Sequence, residues 1–225
     1  MQVRDLGLIE YSQALKIQEE VVDQVLEKGA VEETLLVCEH PAVITVGRAS
    51  GSDQEILRRD FPIVSVSRGG RSTLHLPGQV VIYPILNLEK RGKDLHAYMR
   101  LLESVMIETL ADFRVTAVRI PEKTGVWVPH SKLGSGEKKI ASIGVAVRKW
   151  VTYHGLSLNV ACDLKMFAAL KPCGFSPSVM TSLIEEMDES YRKTWAVNRN
   201  RLMKDVKNRL VENFAEITME TWSES

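Results

Sequence analysis

Three cysteines and five histidines supply the nucleophiles and imidazoles of this 225-residue chain, and only one cysteine sits where a thiol could react. Cys173 lies in Leu170-Lys171-Pro172-Cys173-Gly174-Phe175. Proline before it and glycine after it exclude a regular helix or strand interior. Cys38 follows Thr34-Leu35-Leu36-Val37 and Cys162 follows Asn159-Val160-Ala161, so both read as structural. The usual fate of a free cysteine is burial as a small hydrophobe, and for Cys173 that reading stands beside the reactive one.

A reactive cysteine needs a thiolate, hence a base or a positive neighbour. Free cysteine titrates near about 8.5 and lysine near about 10.4, so a lysine serves as the base only where burial lowers its pKa. Lys139 is placed for that, because it opens Ile140-Ala141-Ser142-Ile143-Gly144-Val145, a run that reads as a buried strand. The alternative is a strand-end charge in water. Lys123, Lys132 and Lys138 read as loop lysines.

A second candidate is Arg68-Gly69-Gly70-Arg71-Ser72-Thr73-Leu74-His75-Leu76-Pro77-Gly78-Gln79. Its glycines permit positive φ and close approach to a ligand. It matches neither a P-loop nor a dinucleotide fingerprint. It is a ligand-binding loop or a long turn. His40, His75 and His154 have neither knuckle nor helical spacing, so no metal site is expected.

The elements that must position these residues mix strands with helices. Residues 12–28 carry Ala14, Ile17, Val21, Val25 and Leu26 at helical spacing, with Ser12 as a cap and Gly29 as a stop. Residues 94–113 form the clearest helix, capped by Asp94, with Leu95, Met99, Leu102, Met106, Leu110 and Phe113 in one stripe. Leu202, Val206, Leu210 and Phe214 predict a helix over residues 196–216. Strands are expected over 34–38, 42–46, 63–66, 80–85, 114–120, 125–128, 140–151 and 152–160, the last two as a hairpin. Strand runs broken by a few amphipathic helices indicate an α+β fold. The chain is expected to be one catalytic domain, residues 1–225, with a helical appendage near its end.

Lysine plus arginine equals aspartate plus glutamate, 29 each, which gives nucleic-acid binding no support. No apolar run reaches the roughly 18 residues of a membrane span, and the first ten residues lack a signal-peptide pattern. Three cysteines without CxxC spacing suit a reducing compartment, so a cytoplasmic protein is expected.

Laid side by side, these segments resemble the octanoyltransferases of lipoate synthesis, relatives of the biotin and lipoate protein ligases. The ordered match covers roughly residues 35–185. It includes Glu39-His40-Pro41, Arg68-Gly69-Gly70, His75 with Pro77-Gly78-Gln79, and Tyr83-Pro84. Further on it includes Gly125-Val126-Trp127, residues 139–144, residues 154–160, Pro172-Cys173-Gly174 and Thr181-Ser182-Leu183.

The resemblance implies a mixed β-sheet domain of the biotin/lipoate-ligase type, flanked by amphipathic helices. It implies that Cys173 carries octanoate as a thioester and that Lys139 tunes the thiol. It implies that Arg68, Gly69, Gly70, Arg71, Ser72, Thr73, Leu74 and His75 line the acyl site, with Ser142, Ile143, Gly144, Gly155, Leu156 and Ser157. His40, Gly78, Gln79 and His154 would support it. The donor would be octanoyl-acyl carrier protein, with the acyl group on its phosphopantetheine arm. The acceptors would be lipoyl-domain proteins, such as the glycine cleavage H protein or 2-oxoacid dehydrogenase subunits. No ATP, metal, nucleic acid or membrane is called for. Arg68 and Arg71 would meet the acidic carrier.

The sequence departs from the family pattern at Leu74 and Leu76, where an aromatic residue and a glycine are usual, and at Ile44, where an aromatic is common. Leu76 cannot cheaply adopt a glycine-only backbone, so a differently shaped loop is expected. Rival readings are an ATP-dependent lipoate or biotin-type protein ligase, a non-catalytic carrier-binding module of the same fold, and a thioesterase using the same pair.

Overall fold

In the strand Thr34–Glu39, Leu35 and Val37 belong to one apolar cluster, while Leu36 and Cys38 belong to another. Successive side chains of a strand point to opposite faces, so this strand must be covered on both sides. A computed structural model, which describes residues 1–50, 56–133, 136–170, 176–196 and 198–222, shows how.

The elements are β1 (Gln2–Leu8), α1 (Tyr11–Lys28), β2 (Thr34–Glu39), β3 (Val43–Val46), β4 (Ile63–Ser65), β5 (Thr73–His75), β6 (Gln79–Ile85) and α2 (Leu95–Asp112). They continue as β7 (Val118–Ile120), β8 (Lys123–Val128), β9 (Lys138–Arg148), β10 (Val151–Asn159), α3 (Leu183–Glu186), α4 (Glu189–Ala196) and α5 (Arg199–Trp222). Seven strands form one sheet in the order β1-β2-β6-β10-β9-β8-β7, and β4-β3-β5 form a small second sheet. In the large sheet β1 pairs parallel to β2 and the other pairings are antiparallel. The fold is a mixed-sheet α/β arrangement, as expected.

Helix α1 covers one face, burying Tyr11, Ala14, Val21, Val22 and Val25 against Leu36, Val81, Tyr83 and Ile85. Helices α2 and α5 cover the other. Leu102, Met106 and Leu110 of α2 and Val206, Leu210 and Phe214 of α5 pack with Leu35, Val37, Val80, Ile82, Leu156 and Leu158. The four-residue repeat of α5 therefore marks its buried stripe.

Several local expectations are revised. Helix α1 starts at Tyr11, with Glu10 at the cap position and no side-chain cap bond, because Tyr11 and Ala14 must both face inward while Ser12 is exposed. Asp94 does cap α2, its carboxylate accepting from the Ala97 N–H at 2.9 Å. The strand expected over 114–120 shortens to Val118–Ile120. Arg114 takes φ of 61°, and the Arg114 and Val115 N–H groups close the end of α2 on Ala111 and Leu110. The expected strand over 114–117 is thus spent on a helix stop. The glycine-rich segment holds a strand of its own, β5, whose backbone pairs with β3. Strand β1 had no expectation attached.

The three departures meet one another. Ile44 pairs across from Leu74, and with Leu76 both join Cys162, Phe167, Leu170 and Met180 in a third apolar cluster. Leu76 needs no positive φ, since the turn places that conformation at Gly78, φ 92°.

Phe214 is fully buried between α5 and the sheet. Replacing Phe214 by alanine is expected to cost about 3–5 kcal/mol, read as a fall in the urea midpoint at unchanged slope.

Candidate active site

Strand β6 contains Pro84, which has no N–H to donate to a neighbouring strand. Its ladder with β10 runs from Gln79–Asn159 to Ile82–Leu156. Beyond that point the Thr152 hydroxyl bridges the strands, donating to the Pro84 carbonyl at 2.7 Å and accepting from the Leu86 N–H at 2.9 Å. Opposite the proline, His154 adopts φ of 56°. Gly155 then passes so close to β6 that a Cβ there would lie 2.1 Å from the Ile82 carbonyl oxygen and 2.9 Å from Pro84 Cδ. Only glycine fits, and the interrupted ladder opens a concavity on the sheet.

That concavity is narrow, about 40 Å³ in cavity volume. Its walls bring together Arg68, Gly70, Arg71, Thr73, His75, Lys139, Ser142, Ile143, Gly144, His154, Gly155, Leu156 and Ser157, with Tyr11, Val81 and Tyr83. Three segments far apart in sequence thus converge. Gly69, Ser72 and Leu74 do not line it, and Leu74 faces the third apolar cluster. Tyr11, Val81 and Tyr83 carried no site assignment from sequence. Tyr83 had a signal in Tyr83-Pro84; Tyr11 and Val81 read as ordinary core.

Arg68 is buried and tied into the wall. Its guanidinium donates to the carbonyls of Gly69 at 3.0 Å, Arg71 at 2.8 Å and Thr45 at 2.9 Å, and to the Thr45 hydroxyl at 2.9 Å. Its side chain crosses two glycines: a Cβ at Gly47 or at Gly144 would come within 2.8 Å of it. Arg68 therefore shapes the loop and does not reach out to a protein partner, while Arg71 is exposed.

Lys139 is 4% exposed, so it is not a strand-end charge in water. Its Nζ donates to the Thr124 carbonyl at 2.8 Å and lies 5.4 Å from the centroid of the Trp127 ring. Gly125, at φ 105°, makes room: a Cβ there would sit 2.4 Å from the Ala141 carbonyl oxygen and 3.0 Å from Lys139 Cε. Lys138, one residue earlier, opens β9 and donates to the Ser178 carbonyl at 2.7 Å. Lys123 opens β8 and pairs with Glu137; Lys132 pairs with Asp188 at 2.7 Å. Cys173 lies outside the described residues, as do its neighbours in 171–175. Burial pushes the Cys38 thiol up well beyond its ordinary range and the Cys162 thiol to about 12, so both are inert at neutral pH.

On one wall of the pocket three imidazoles and two phenols pack together, with only His40 of them set back from the lining. Tyr11 stacks on His75 at 5.7 Å, and His40 meets the edge of His75 at 5.7 Å. His40 bonds the Tyr83 hydroxyl through Nε2 and the Ile9 carbonyl through Nδ1, each at 2.7 Å. His154 contacts the Tyr11 hydroxyl through Nδ1 at 3.3 Å, and its backbone N–H donates to Gln18 Oε1 at 2.8 Å. Burial lowers His40; burial, then the charges of His40 and Arg68, hold His75 well below its ordinary range. Burial and then the Arg68 charge lower His154 to about 4. The imidazoles are neutral at pH 7. Gly78 and Gln79 stand behind the pocket: the Gly78 N–H donates to Glu39 at 3.2 Å and Gln79 braces the β5–β6 turn. Among the described residues no group of three or more His, Cys, Asp or Glu is arranged to hold a metal ion.

Comparison with known proteins places this sheet domain among the lipoyl protein ligase type enzymes. The model of the lipoyl protein ligase A/B catalytic domain matches residues 10–215. An octanoyltransferase of Syntrophotalea carbinolica is 41% identical over 99% of this chain and 96% of its own length. One of Pelobacter propionicus is 45% identical over 81% of this chain and 83% of its own. Among solved structures, a lipoate-protein ligase A bound with ATP superposes with a TM-score of 0.67 at 15% identity, covering 97% of this chain and 86% of that one. A bipartite lipoate protein ligase of Thermoplasma acidophilum gives 0.62 at 18%, covering 97% and 84%. The chain belongs to the lipoyl protein ligase A/B catalytic-domain family, on its octanoyltransferase branch.

Two outcomes follow from this geometry. Gly125→Ala is expected to displace the Lys139 side chain and lower acyl transfer by about a hundredfold, with the far-UV circular dichroism retained. His154 is held below its ordinary value of 6.5, so the unfolded chain takes up that proton first and stability is lost as pH falls from 6.5 toward about 4. His154→Asn, tolerant of positive φ, is expected to show a shallower loss across that window in urea titrations.

Proposed function

We propose that this enzyme transfers an octanoyl group from octanoyl-acyl carrier protein to the lysine of a lipoyl-domain protein, through a thioester on Cys173. The observation that carries the reading is the buried Lys139 amine on the wall of a pocket, in a chain whose relatives are octanoyltransferases.

A lysine accepts a thiol proton only as the free amine, so the transfer starts from that form of Lys139. Lys139 takes the proton of Cys173, and the thiolate attacks the carbonyl carbon of the incoming thioester. The tetrahedral adduct collapses by breaking the bond to the phosphopantetheine sulfur, which recovers the proton from Lys139. The acceptor lysine, as a free amine, then attacks the Cys173 thioester; an amide forms and the thiol is regenerated. Dividing one transfer into two steps is the logic of covalent catalysis.

Thioester exchange is nearly neutral and thioester to amide runs downhill, so the reaction needs no ATP and no metal. Backbone N–H groups around the glycines of the pocket supply the oxyanion contacts. Val81, Ile143 and Leu156 offer the acyl chain apolar wall. Exposed Arg71 at the rim meets the acidic surface of the carrier protein. The acceptors are the glycine cleavage H protein or 2-oxoacid dehydrogenase subunits, and residues 1–225 act as one catalytic unit in the cytoplasm. Among the described residues no helix is long and apolar enough to cross a membrane.

The test is intact-protein mass after mixing with octanoyl-acyl carrier protein, wild type beside Cys173→Ser. The expected result is a gain of one octanoyl group, released by hydroxylamine and absent in the variant. Transfer without an adduct, or only with ATP, would establish a ligase mechanism. Neither adduct nor transfer would leave a carrier-binding module, and loss of the acyl group to water would indicate a thioesterase.

A further inference from the structure

Strands β9 and β10 pair from Arg148–Val151 to Ala141–Leu158 and there they part. The segment after the cysteine-bearing stretch enters the fork. Met180 bridges Lys139 in parallel register, the Thr181 N–H donates to the Lys139 carbonyl at 3.0 Å, and the Ile184 N–H donates to the Val160 carbonyl at 3.0 Å. At the point of parting stands Asn159, 2% exposed.

Both ends of its amide are used. Nδ2 donates to the Thr181 carbonyl at 2.9 Å, and Oδ1 accepts from Gln79 Nε2 at 3.0 Å. Gln79 Nε2 also donates to the Leu74 carbonyl at 3.1 Å, and its Oε1 accepts from the Leu76 N–H at 3.3 Å, which brackets His75. Thr181 is a junction in its own right. Its hydroxyl donates to Glu186 Oε1 at 2.5 Å, and the same carboxylate accepts from the Ser131 hydroxyl at 2.5 Å and the Lys132 N–H at 3.0 Å.

We propose that Asn159 is a positioning residue, whose amide locks Thr181 into the strand fork and so fixes the backbone of Lys139, the exit of the cysteine-bearing segment and the His75 turn relative to one another. Asn159 does not line the pocket; it acts through residues that do. A donor and an acceptor are needed on one short side chain, facing opposite ways. Aspartate has the shape but lacks the donor until it is protonated, and leucine has neither. The proposal rests on the Cys173–Lys139 reading, so its test monitors formation of the Cys173 adduct itself.

The experiment is rapid-quench mass spectrometry of the octanoyl adduct, comparing wild type, Asn159→Asp and Asn159→Ser between pH 5.5 and 8.5, with thermal unfolding as a check. Ionised aspartate sets a carboxylate oxygen against the Thr181 carbonyl; its protonated form restores an O–H donor. The maximal acylation rate of Asn159→Asp is expected to be about a hundredfold below wild type at high pH, with the donor concentration at half-maximal rate within twofold, and the deficit shrinks as pH falls. Asn159→Ser, too short to reach Thr181, is expected to show a deficit that does not change with pH and serves if the aspartate variant does not fold. A wild-type rate in Asn159→Ser, or an Asn159→Asp deficit equal at every pH, would overturn the proposal. Absence of an adduct on the wild-type enzyme would instead sink the covalent mechanism.

Discussion

A lysine amine held out of water is the demand around which this architecture is arranged. The Lys139 head has to be given a carbonyl, an aromatic face and space, and each comes from β8: Thr124, Trp127 and Gly125. A buried polar group without such partners would cost several kcal/mol. Because the accepting carbonyl and ring lie on one strand and the lysine on its neighbour, the β8–β9 register sets where the amine sits. A one-residue slip would turn the amine to the opposite face. The irregularity between Val126 and Trp127 in that pairing is thus part of how the site is aimed.

The opposite wall answers a different problem, that of opening a hollow in a sheet without leaving backbone groups unpaired. Pro84 removes a donor, Thr152 repairs the gap with its hydroxyl, and Gly155 permits the strands to close again. His40 is tied to the Tyr83 hydroxyl and the Ile9 carbonyl and His154 meets the Tyr11 hydroxyl, so the histidines and phenols make this side of the pocket polar in composition yet uncharged. An uncharged floor suits an acyl chain, and the charge of Arg68 is spent on three carbonyls and a hydroxyl.

How far this was legible in the sequence can be judged residue by residue. Helices α1, α2 and α5 were visible because a buried stripe on a helix leaves a four-residue rhythm. The β9–β10 hairpin was visible because its strands adjoin in sequence. Strand β1 was not, since an exposed edge strand carries little apolar signal, and β5 was hidden by the glycines around it. Most of the pocket-lining side chains lay in segments singled out beforehand. Tyr11 and Val81 did not, because a residue that is core on one side and pocket wall on the other looks like core in a linear pattern. Arg68 drew attention as a charge, but its role is that of a clamp. Sequence reveals that an arginine is present beside glycines, whereas only packing shows that the glycines exist to let it pass. Ile44, Leu74 and Leu76 looked like three separate oddities and are one contiguous apolar contact.

The strand order also bears on how the chain reaches this state. Strands β1 and β2 are joined through α1 and a short 3-10 turn, and β7 to β10 follow one another as neighbours, so both groups assemble from nearby chain. The sheet becomes continuous only when β6 inserts between them, and all seven of its residues are buried. Its partners lie far away in sequence on either side, and such closures carry the largest entropic cost in forming a sheet. The same strand carries Pro84 and the floor of the hollow. Assembly of the cavity and completion of the sheet are therefore a single event, and a partly folded chain that has both halves but not β6 lacks the cavity.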